Sequence, residues 1–404
     1  MITKADIPAE PMFVVEVIDK ENDIEGWVAI HSFGANGSCG GLRLYPDVTR
    51  EEVEILAKGM TYKYCFHEIP TGGAKAGLKL SFDLSPTQRA DKLRKFGRHI
   101  APLLNNNIYF PWTDMNCSTG DLANLFEGAG KKFYPSKGDS SYYTALSTYS
   151  GVIAVAKHLS IPMENCKIAI QGLGNVGKFL ASEIKASKSK LIAASTRLGG
   201  VYNSEGLNID EVISAIEKNG DLWVTKTGNW QQISCDELFS LEMDILIPSA
   251  RIFSVTEQIA RTIKCKAVVS AANSPCTEAA IEIFGQRGIL VLPYFVTNSG
   301  GVVGPGLENC GDTDTNIREI FYSHFSRMLE RMFKCAASEN STLIDVAKNE
   351  CVKNFSKHSF VKVVKKYFVV RAVKAIQRRI FKRNKKNLGK LKSAIICSIN
   401  DKFV

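Results

Sequence analysis

Three residues of this chain have types and surroundings suited to moving protons: Lys63, Lys75 and Asp114. Lys75 lies inside Gly72-Gly73-Ala74-Lys75-Ala76-Gly77, and small residues on both sides let a substrate and the backbone approach its amine. Burial there would depress its pKa toward a value useful in proton transfer. Lys63 stands earlier, near the end of a helical pattern, and Asp114 ends an apolar segment, residues 107–114, that reads as a strand. Taken singly, each also reads as an ordinary surface charge. The six histidines, at 31, 67, 99, 158, 324 and 358, never fall in a helical i, i+4 pair, and no metal site is expected.

A second cluster is Gln171-Gly172-Leu173-Gly174-Asn175-Val176-Gly177, directly after an apolar run and directly before a helical pattern. Glycines at 172, 174 and 177 permit a tight turn, a close approach of pyrophosphate to backbone, and close helix-on-strand packing. The helix N-terminus adds positive potential. Alone the pattern is weak; between a strand and a helix, with four more strands behind it, it points to a bound dinucleotide. The second strand of such a unit usually ends in an acid that holds a ribose 2′-hydroxyl, but here the end reads Ser195-Thr196-Arg197. A hydroxyl and a guanidinium suit a 2′-phosphate, so the cofactor is read as NAD or NADP, with Arg197 as a plain loop charge the alternative.

The elements that must carry these residues follow from periodicity. Residues 167–171, 191–195, 244–247, 266–270 and 289–292 are short, apolar and bounded by turn or polar residues, as buried parallel strands are. Between them, residues 175–187 and 208–218 repeat apolar positions at spacings of three and four, as helices packed on that sheet would. In the first part of the chain, residues 13–18 and 26–31 read as strands, followed by a Gly-rich turn and a long helix ending near residue 65. Thr49 and Glu52 predict a reciprocal capping box at that helix's start. Residues 317–332 and 355–381 read as amphipathic helices. The fold class expected is α/β with two domains, one of them a doubly wound dinucleotide-binding domain.

Composition narrows the rest. A 404-residue chain with 45% hydrophobic residues fills two cores and excludes disorder and fibres. Its net charge of +10 suggests nucleic acid until it is located: fifteen Lys or Arg and no Asp or Glu fall between Lys353 and Lys392, and the remainder carries 36 basic against 41 acidic side chains. Within that stretch Val361, Val364, Phe368, Ala372, Val373, Ile376 and Ile380 recur at helical spacing, so the basic charge is read as the solvated face of a docked helix. Neither nucleic acid nor a membrane is expected as a partner. The eleven cysteines contain no Cys-x-x-Cys pair and read as free thiols. With no leader-like start and no 18-residue apolar span, the expected location is cytoplasmic.

Seven motifs resemble the glutamate, leucine, phenylalanine and valine dehydrogenases in order and spacing. They are Gly40-Gly41-Leu42-Arg43, Met60-Thr61-Tyr62-Lys63, Gly72-Gly73-Ala74-Lys75, Asp114, the glycine loop at 172–177, Ser270-Ala271-Ala272-Asn273 and Asn298-Ser299-Gly300-Gly301. The resemblance covers roughly residues 12 to 330. It implies reversible oxidative deamination of an L-amino acid to a 2-oxo acid and ammonia, with hydride passing to a nicotinamide, in a homo-oligomer whose domains close over a cleft. It implies a substrate-binding domain over residues 1–140, a nucleotide-binding domain over 141–329, and C-terminal helices over 330–404 that return to the first domain. Lys63 and Gly41 would bind substrate, with Lys63 on the α-carboxylate. Lys75 would activate water, and Asp114 would shuttle protons to and from nitrogen. Thr144 and Asn273 would meet the nicotinamide, Asn298 the substrate, and Gly172, Gly174, Asn175, Val176, Gly177, Thr196 and Arg197 the rest of the cofactor.

Cys39 stands where glutamate-specific members carry a lysine for the substrate's side-chain carboxylate. Without that cation a buried glutamate side chain would be an unpaired charge, so leucine, valine or another apolar side chain is expected, with glutamate the alternative. The segment Gly138-Asp139-Ser140-Ser141-Tyr142-Tyr143-Thr144-Ala145 resembles the leucine branch, whereas Gly199-Gly200-Val201-Tyr202-Asn203 resembles the glutamate branch. Tyr294 and Cys117 depart from the family's usual Asp and Thr. A sensor that keeps the fold without the chemistry is the rival from another class.

Overall fold

The computed structural model describes residues 6–135, 138–309 and 312–358. They divide into two compact units, one made of residues 6–135 with 348–358 and the other of the described residues from 138 to 347. The second unit runs past the expected boundary at residue 330, and the chain rejoins the first unit only from Lys348.

The first unit is built on a five-stranded mixed sheet: β1 (Phe13–Asp19), β2 (Ile24–Ile30), β3 (Ser38–Leu44), β4 (Gly72–Leu78) and β5 (Tyr109–Thr113), in the order β1-β2-β4-β3-β5. The pairs β1/β2 and β2/β4 are antiparallel, whereas β3 lies parallel to both β4 and β5. Strand alternation sorts β2 between two cores: Val28 and Ile30 join Leu42, Ala76, Phe96 and Leu125 on one face, Trp27 and Ala29 join Val53 and Ala57 on the other. The helix Arg50–Phe66 covers the second face.

Most of what reads as a Gly-rich turn is strand β3, and every residue of β3 and of β4 is buried. On β4 glycine is needed because the covering helix comes too close for side chains. A Cβ on Gly73 would strike Thr61, and one on Gly77 would lie 2.6 Å from Val53. The capping box also forms only in part. Thr49 Oγ1 accepts from the Glu52 amide at 3.2 Å, but the Glu52 carboxylate turns to the Arg43 guanidinium.

In the second unit the strands are β6 (Lys167–Gln171), β7 (Lys190–Thr196), β8 (Gly199–Tyr202), β9 (Gln231–Ile233), β10 (Ile245–Pro248), β11 (Ala267–Val268) and β12 (Leu290–Val291). Their order is β12-β11-β10-β6-β7-β8-β9. The five expected strands are present and parallel, though β11 and β12 are only two residues each. Two strands that periodicity did not mark, β8 and β9, extend the sheet antiparallel. A two-residue reversal at Arg197-Leu198 returns the chain, and Gly199 opens β8 at φ +139. Helices Asn175–Ala186 and Ile209–Asn219 match the periodicity. The expected helix over 317–332 is instead Asp314–Ile320, a π-turn Phe321–Phe325 and Ser326–Glu339.

The helix Leu343–His358 spans the division of the chain, and its Cys351 thiol donates to the Tyr62 carbonyl at 3.5 Å. The apolar stripe from Val361 to Ile380, and residues 359–392 of the basic stretch, lie outside the described residues. Nine cysteines are described and each is a free thiol. Among the described residues no helix is long and apolar enough to cross a membrane.

Candidate active site

Strand β3 lies between β4 and β5, so side chains from its two neighbours meet only by reaching across it. Lys75 on β4 and Asp114, just after β5, do so: Lys75 Nζ lies 2.7 Å from Asp114 Oδ2. They pass over Gly41, where a Cβ would lie 2.6 Å from Asp114 Cβ and 3.3 Å from Lys75 Nζ. Glycine at 41 is therefore a condition of the pair. Two residues along, on the same face of β3, Arg43 Nε approaches Asp114 Oδ2 at 3.2 Å while its Nη1 meets Glu52 Oε1. Lys63 enters from the covering helix and is only 6% exposed.

Burial sets the protonation of this cluster, and neighbouring charge adjusts it. Burial pushes the Lys63 ammonium down to about 7, Lys75 pushes the same way, and Asp114 opposes. Burial likewise lowers Lys75, with Asp114 opposing and Arg43 adding to the shift. For Asp114 burial alone would raise the carboxyl, but Lys75 and Arg43 together hold it well below the usual carboxylate range. Lys63, Lys75 and Arg43 are three cations against the two carboxylates of Asp114 and Glu52. A bound carboxylate would balance the group.

Cys39 opens the same face of β3 and is buried, and burial raises its thiol to about 11, so it is neutral. The Tyr64 and Trp112 side chains hydrogen-bond to it. The structure thus gathers Lys63, Lys75, Asp114, Gly41 and Cys39 in one unit. Sequence reasoning missed Glu52 as a member and quoted Arg43 without a role. It also missed a buried chain that docks the Lys63 helix on β4: His31 Nδ1 to Thr61 Oγ1 at 2.8 Å, Ser32 Oγ to Thr61 Oγ1 at 2.7 Å, and the Gly73 amide to Ser32 Oγ at 2.9 Å.

In the second unit the glycine loop is shaped as its sequence suggests. Gly172 has φ +95 and lies against Ala250, where a Cβ would come within 2.9 Å of the backbone. A Cβ on Gly177 would lie 2.7 Å from the Gly172 carbonyl oxygen, the close packing of helix on strand. Gly174 caps the helix Asn175–Ala186 with no side-chain bond, and a Cβ there would meet nothing within 4 Å. An open approach to unbonded helix amides, at residues that include Asn175 and Val176, fits a pyrophosphate.

Asn298 Nδ2 donates to the carbonyls of Ala271 and Ala272 and to Asn273 Oδ1 at 3.0 Å, while its buried Oδ1 has no donor among the described residues. Thr144 Oγ1 donates to the Ser140 carbonyl at 2.8 Å, close under Gly301. At the end of β7, Thr196 Oγ1 donates to the Asp221 carbonyl at 3.3 Å, and Arg197 Nε pairs with Asp221 Oδ2 at 3.1 Å, with both side chains exposed. The sequence-distant Asp221 thus puts a carboxylate where the strand itself has none. Leu198 and Leu222, both exposed, flank the pair in sequence.

Two family profiles match: "Glutamate/Leucine/Phenylalanine/Valine dehydrogenase" over residues 138–368, and "Glu/Leu/Phe/Val dehydrogenase, dimerisation domain" over residues 8–129. The chain is 31% identical to glutamate dehydrogenase of Thermotoga maritima over 335 residues, 78% of each protein. It is 29% identical to NAD-specific glutamate dehydrogenase of Peptoniphilus asaccharolyticus over 380 residues, 85% of this chain and 90% of that one. In fold it is similar to hetero-hexameric glutamate dehydrogenase of Thermus thermophilus, with a TM-score of 0.76 at 24% identity over 87% of this chain and 90% of the other. The chain belongs to the glutamate/leucine/phenylalanine/valine dehydrogenase family and is an amino-acid dehydrogenase that works with NAD or NADP.

Proposed function

We propose that this enzyme oxidatively deaminates an L-amino acid with an apolar side chain, reversibly, to the 2-oxo acid and ammonia. The observation that carries the reading is the Lys75–Asp114 pair across Gly41 with Lys63 buried beside it. Lys63 binds the α-carboxylate, which completes the charge balance of the cluster. Asp114, kept ionised by Lys75 and Arg43, takes the proton from the substrate ammonium. A bound NAD or NADP supplies the hydride acceptor. Lys75, whose proton affinity is lowered by burial, deprotonates the water that attacks the imine carbon. Asp114 then returns a proton to the departing nitrogen. Gly172, Gly174, Asn175, Val176 and Gly177 hold the pyrophosphate, Thr196 and Arg197 the adenosine end, and Thr144 and Asn273 the carboxamide of the nicotinamide. Asn298 orients the substrate.

The apolar side chain is argued from Cys39, a neutral buried thiol among Tyr64 and Trp112. A glutamate carboxylate placed there would lose its hydration without gaining a cation. The second reading is glutamate, favoured by the names of the curated relatives. A homo-oligomer is part of the proposal, supported by the dimerisation-domain match, and light scattering on the purified protein tests it. Cytoplasmic residence is supported by the nine free thiols, and fractionation of cells tests it. The test of function is NAD(P)H absorbance with a panel of L-amino acids, and with 2-oxo acids plus ammonium, using both nucleotides. Turnover with leucine or valine above glutamate is expected. Preference for glutamate overturns the side-chain reading, and no turnover from folded protein overturns the whole.

A further inference from the structure

Glu52 and Arg43 form a buried ion pair beside the chemistry just described: Arg43 enters it only by helping to keep Asp114 ionised, and Glu52 has no part in it so far. Arg43 is 3% exposed and Glu52 8%. One edge of the Arg43 guanidinium meets the Glu52 carboxylate and its Nε meets Asp114 Oδ2, the same oxygen that holds Lys75. The chain Glu52–Arg43–Asp114–Lys75 therefore links the first turn of the helix Arg50–Phe66 to strands β3, β4 and β5 through direct side-chain contacts. A glutamate in the third position of a helix ordinarily folds back to the cap. Here its carboxylate instead points into the sheet, where burying a charge is costly unless it is paired.

We propose that Glu52 is a positioning residue that acts through Arg43, neutralising part of its charge and so setting how strongly Arg43 competes with Lys75 for Asp114. This rests on the reading of Lys75 and Asp114 as the proton-transfer pair. The groups that face that pair are Arg43 and Cys39 from β3, Glu52, Lys63 and Tyr64 from the covering helix, Tyr109 from β5, and Cys117 beyond it. Burial raises the tyrosine and thiol groups, which leaves the Glu52–Arg43 ion pair and Lys63 as the acidic and basic side chains among these neighbours.

The two residues act on Lys75 with opposite sign: Arg43 lowers its proton affinity and Glu52 raises it. Their removal must therefore move the pH profile in opposite directions. Glu52→Gln, nearly isosteric, should shift the limb of kcat/KM that reports the base by about one pH unit toward acid, and Arg43→Gln by a similar amount toward alkali. In Arg43→Gln the guanidinium through which Glu52 acts is gone. The double variant should therefore follow Arg43→Gln alone.

The experiment is the pH dependence of kcat/KM for the wild type, both single variants, the double variant and Glu52→Asp, each with a thermal melt and an NAD(P)H titration as folding controls. Opposite shifts, with Glu52→Asp close to wild type, support the inference. Lowered rates with unmoved limbs, or shifts of the same sign, overturn it and mark the pair as structural. If Arg43→Gln fails to fold, the Glu52→Gln shift decides alone. A wild type without turnover overturns the catalytic reading instead, so the two failures are distinct.

Discussion

Lys63 gives the sharpest quantitative expectation. Its ammonium is held at about 7 by burial, with Lys75 adding to the effect. Only the charged form attracts a substrate carboxylate. Taking the pKa as 7, about nine-tenths of the free enzyme is protonated at pH 6 and about one-hundredth at pH 9, by the ordinary titration relation. Binding of a simple carboxylate should weaken by roughly 90-fold across that range, or ~2.7 kcal/mol at ~1.4 kcal/mol per decade. The measurement that avoids the separate titration of ammonia is the inhibition constant of a saturated carboxylic acid with the substrate's skeleton, competing with the 2-oxo acid. Its logarithm should stay flat below pH 7 and rise with unit slope above. Lys63→Met should bind the acid weakly at every pH, whereas Lys63→Arg, which keeps its proton, should bind it without pH dependence. A flat wild-type profile, or one as steep in Lys63→Met, would refute the argument.

The same burial costs stability, because an unfolded lysine stays charged up to about 10.4. Between that value and the folded value near 7, the unfolded chain binds the extra proton and the folded one does not, so stability falls as pH drops through that window. Lys63→Met should therefore raise the melting temperature at pH 7 while impairing catalysis; a lowered one would contradict this account. In the nucleotide loop, Gly177→Ala should lower the melting temperature, since its Cβ would lie 2.7 Å from the Gly172 oxygen. Gly174→Ala should leave the melt nearly unchanged yet weaken NAD(P)H binding by about tenfold, by obstructing the open helix amides; fluorescence titration separates the two. Asp221→Ala removes the carboxylate paired with Arg197 and should improve NADPH binding relative to NADH by roughly tenfold, through a freed guanidinium and a lost repulsion. Cys39→Lys should raise glutamate turnover relative to leucine, and an unchanged ratio in the substrate panel would remove Cys39 from the side-chain pocket.

Periodicity exposed the strands that have large side chains to repeat. The alternation of Trp27, Val28, Ala29 and Ile30 marks β2, because each face of the sheet has its own core to fill. β3 and β4 escape the same test because they lie inside the sheet, buried on both faces, where glycine replaces the alternating residues: under the covering helix on β4, and against the Ala74 backbone and the Lys75–Asp114 pair on β3. A run such as Ser38-Cys39-Gly40-Gly41 has the composition of a turn and the position of a central strand, and composition alone cannot separate them. The antiparallel pair β8 and β9 was hidden for another reason. β9 is three residues long with two of them exposed, so no apolar signal marks it.

The candidate site shows the same limit more clearly. Lys63, Lys75 and Asp114 were legible because a buried charge needs small neighbours or an apolar strand around it, and these leave a trace in the adjacent residues. Arg43 and Glu52 leave none: nine residues apart, on a strand and a helix whose packing is fixed only in three dimensions, each resembles a surface residue until the fold encloses both. The local rule for Glu52 was sound and was overridden, since an exposed helix cap is satisfied by water at little cost, whereas a buried Arg43 left to share Asp114 with Lys75 would be incompletely compensated. Where a strong local motif yields in this way, the interaction that displaced it has to be worth more than the cap. That inequality is the physical reason to look for function at Glu52.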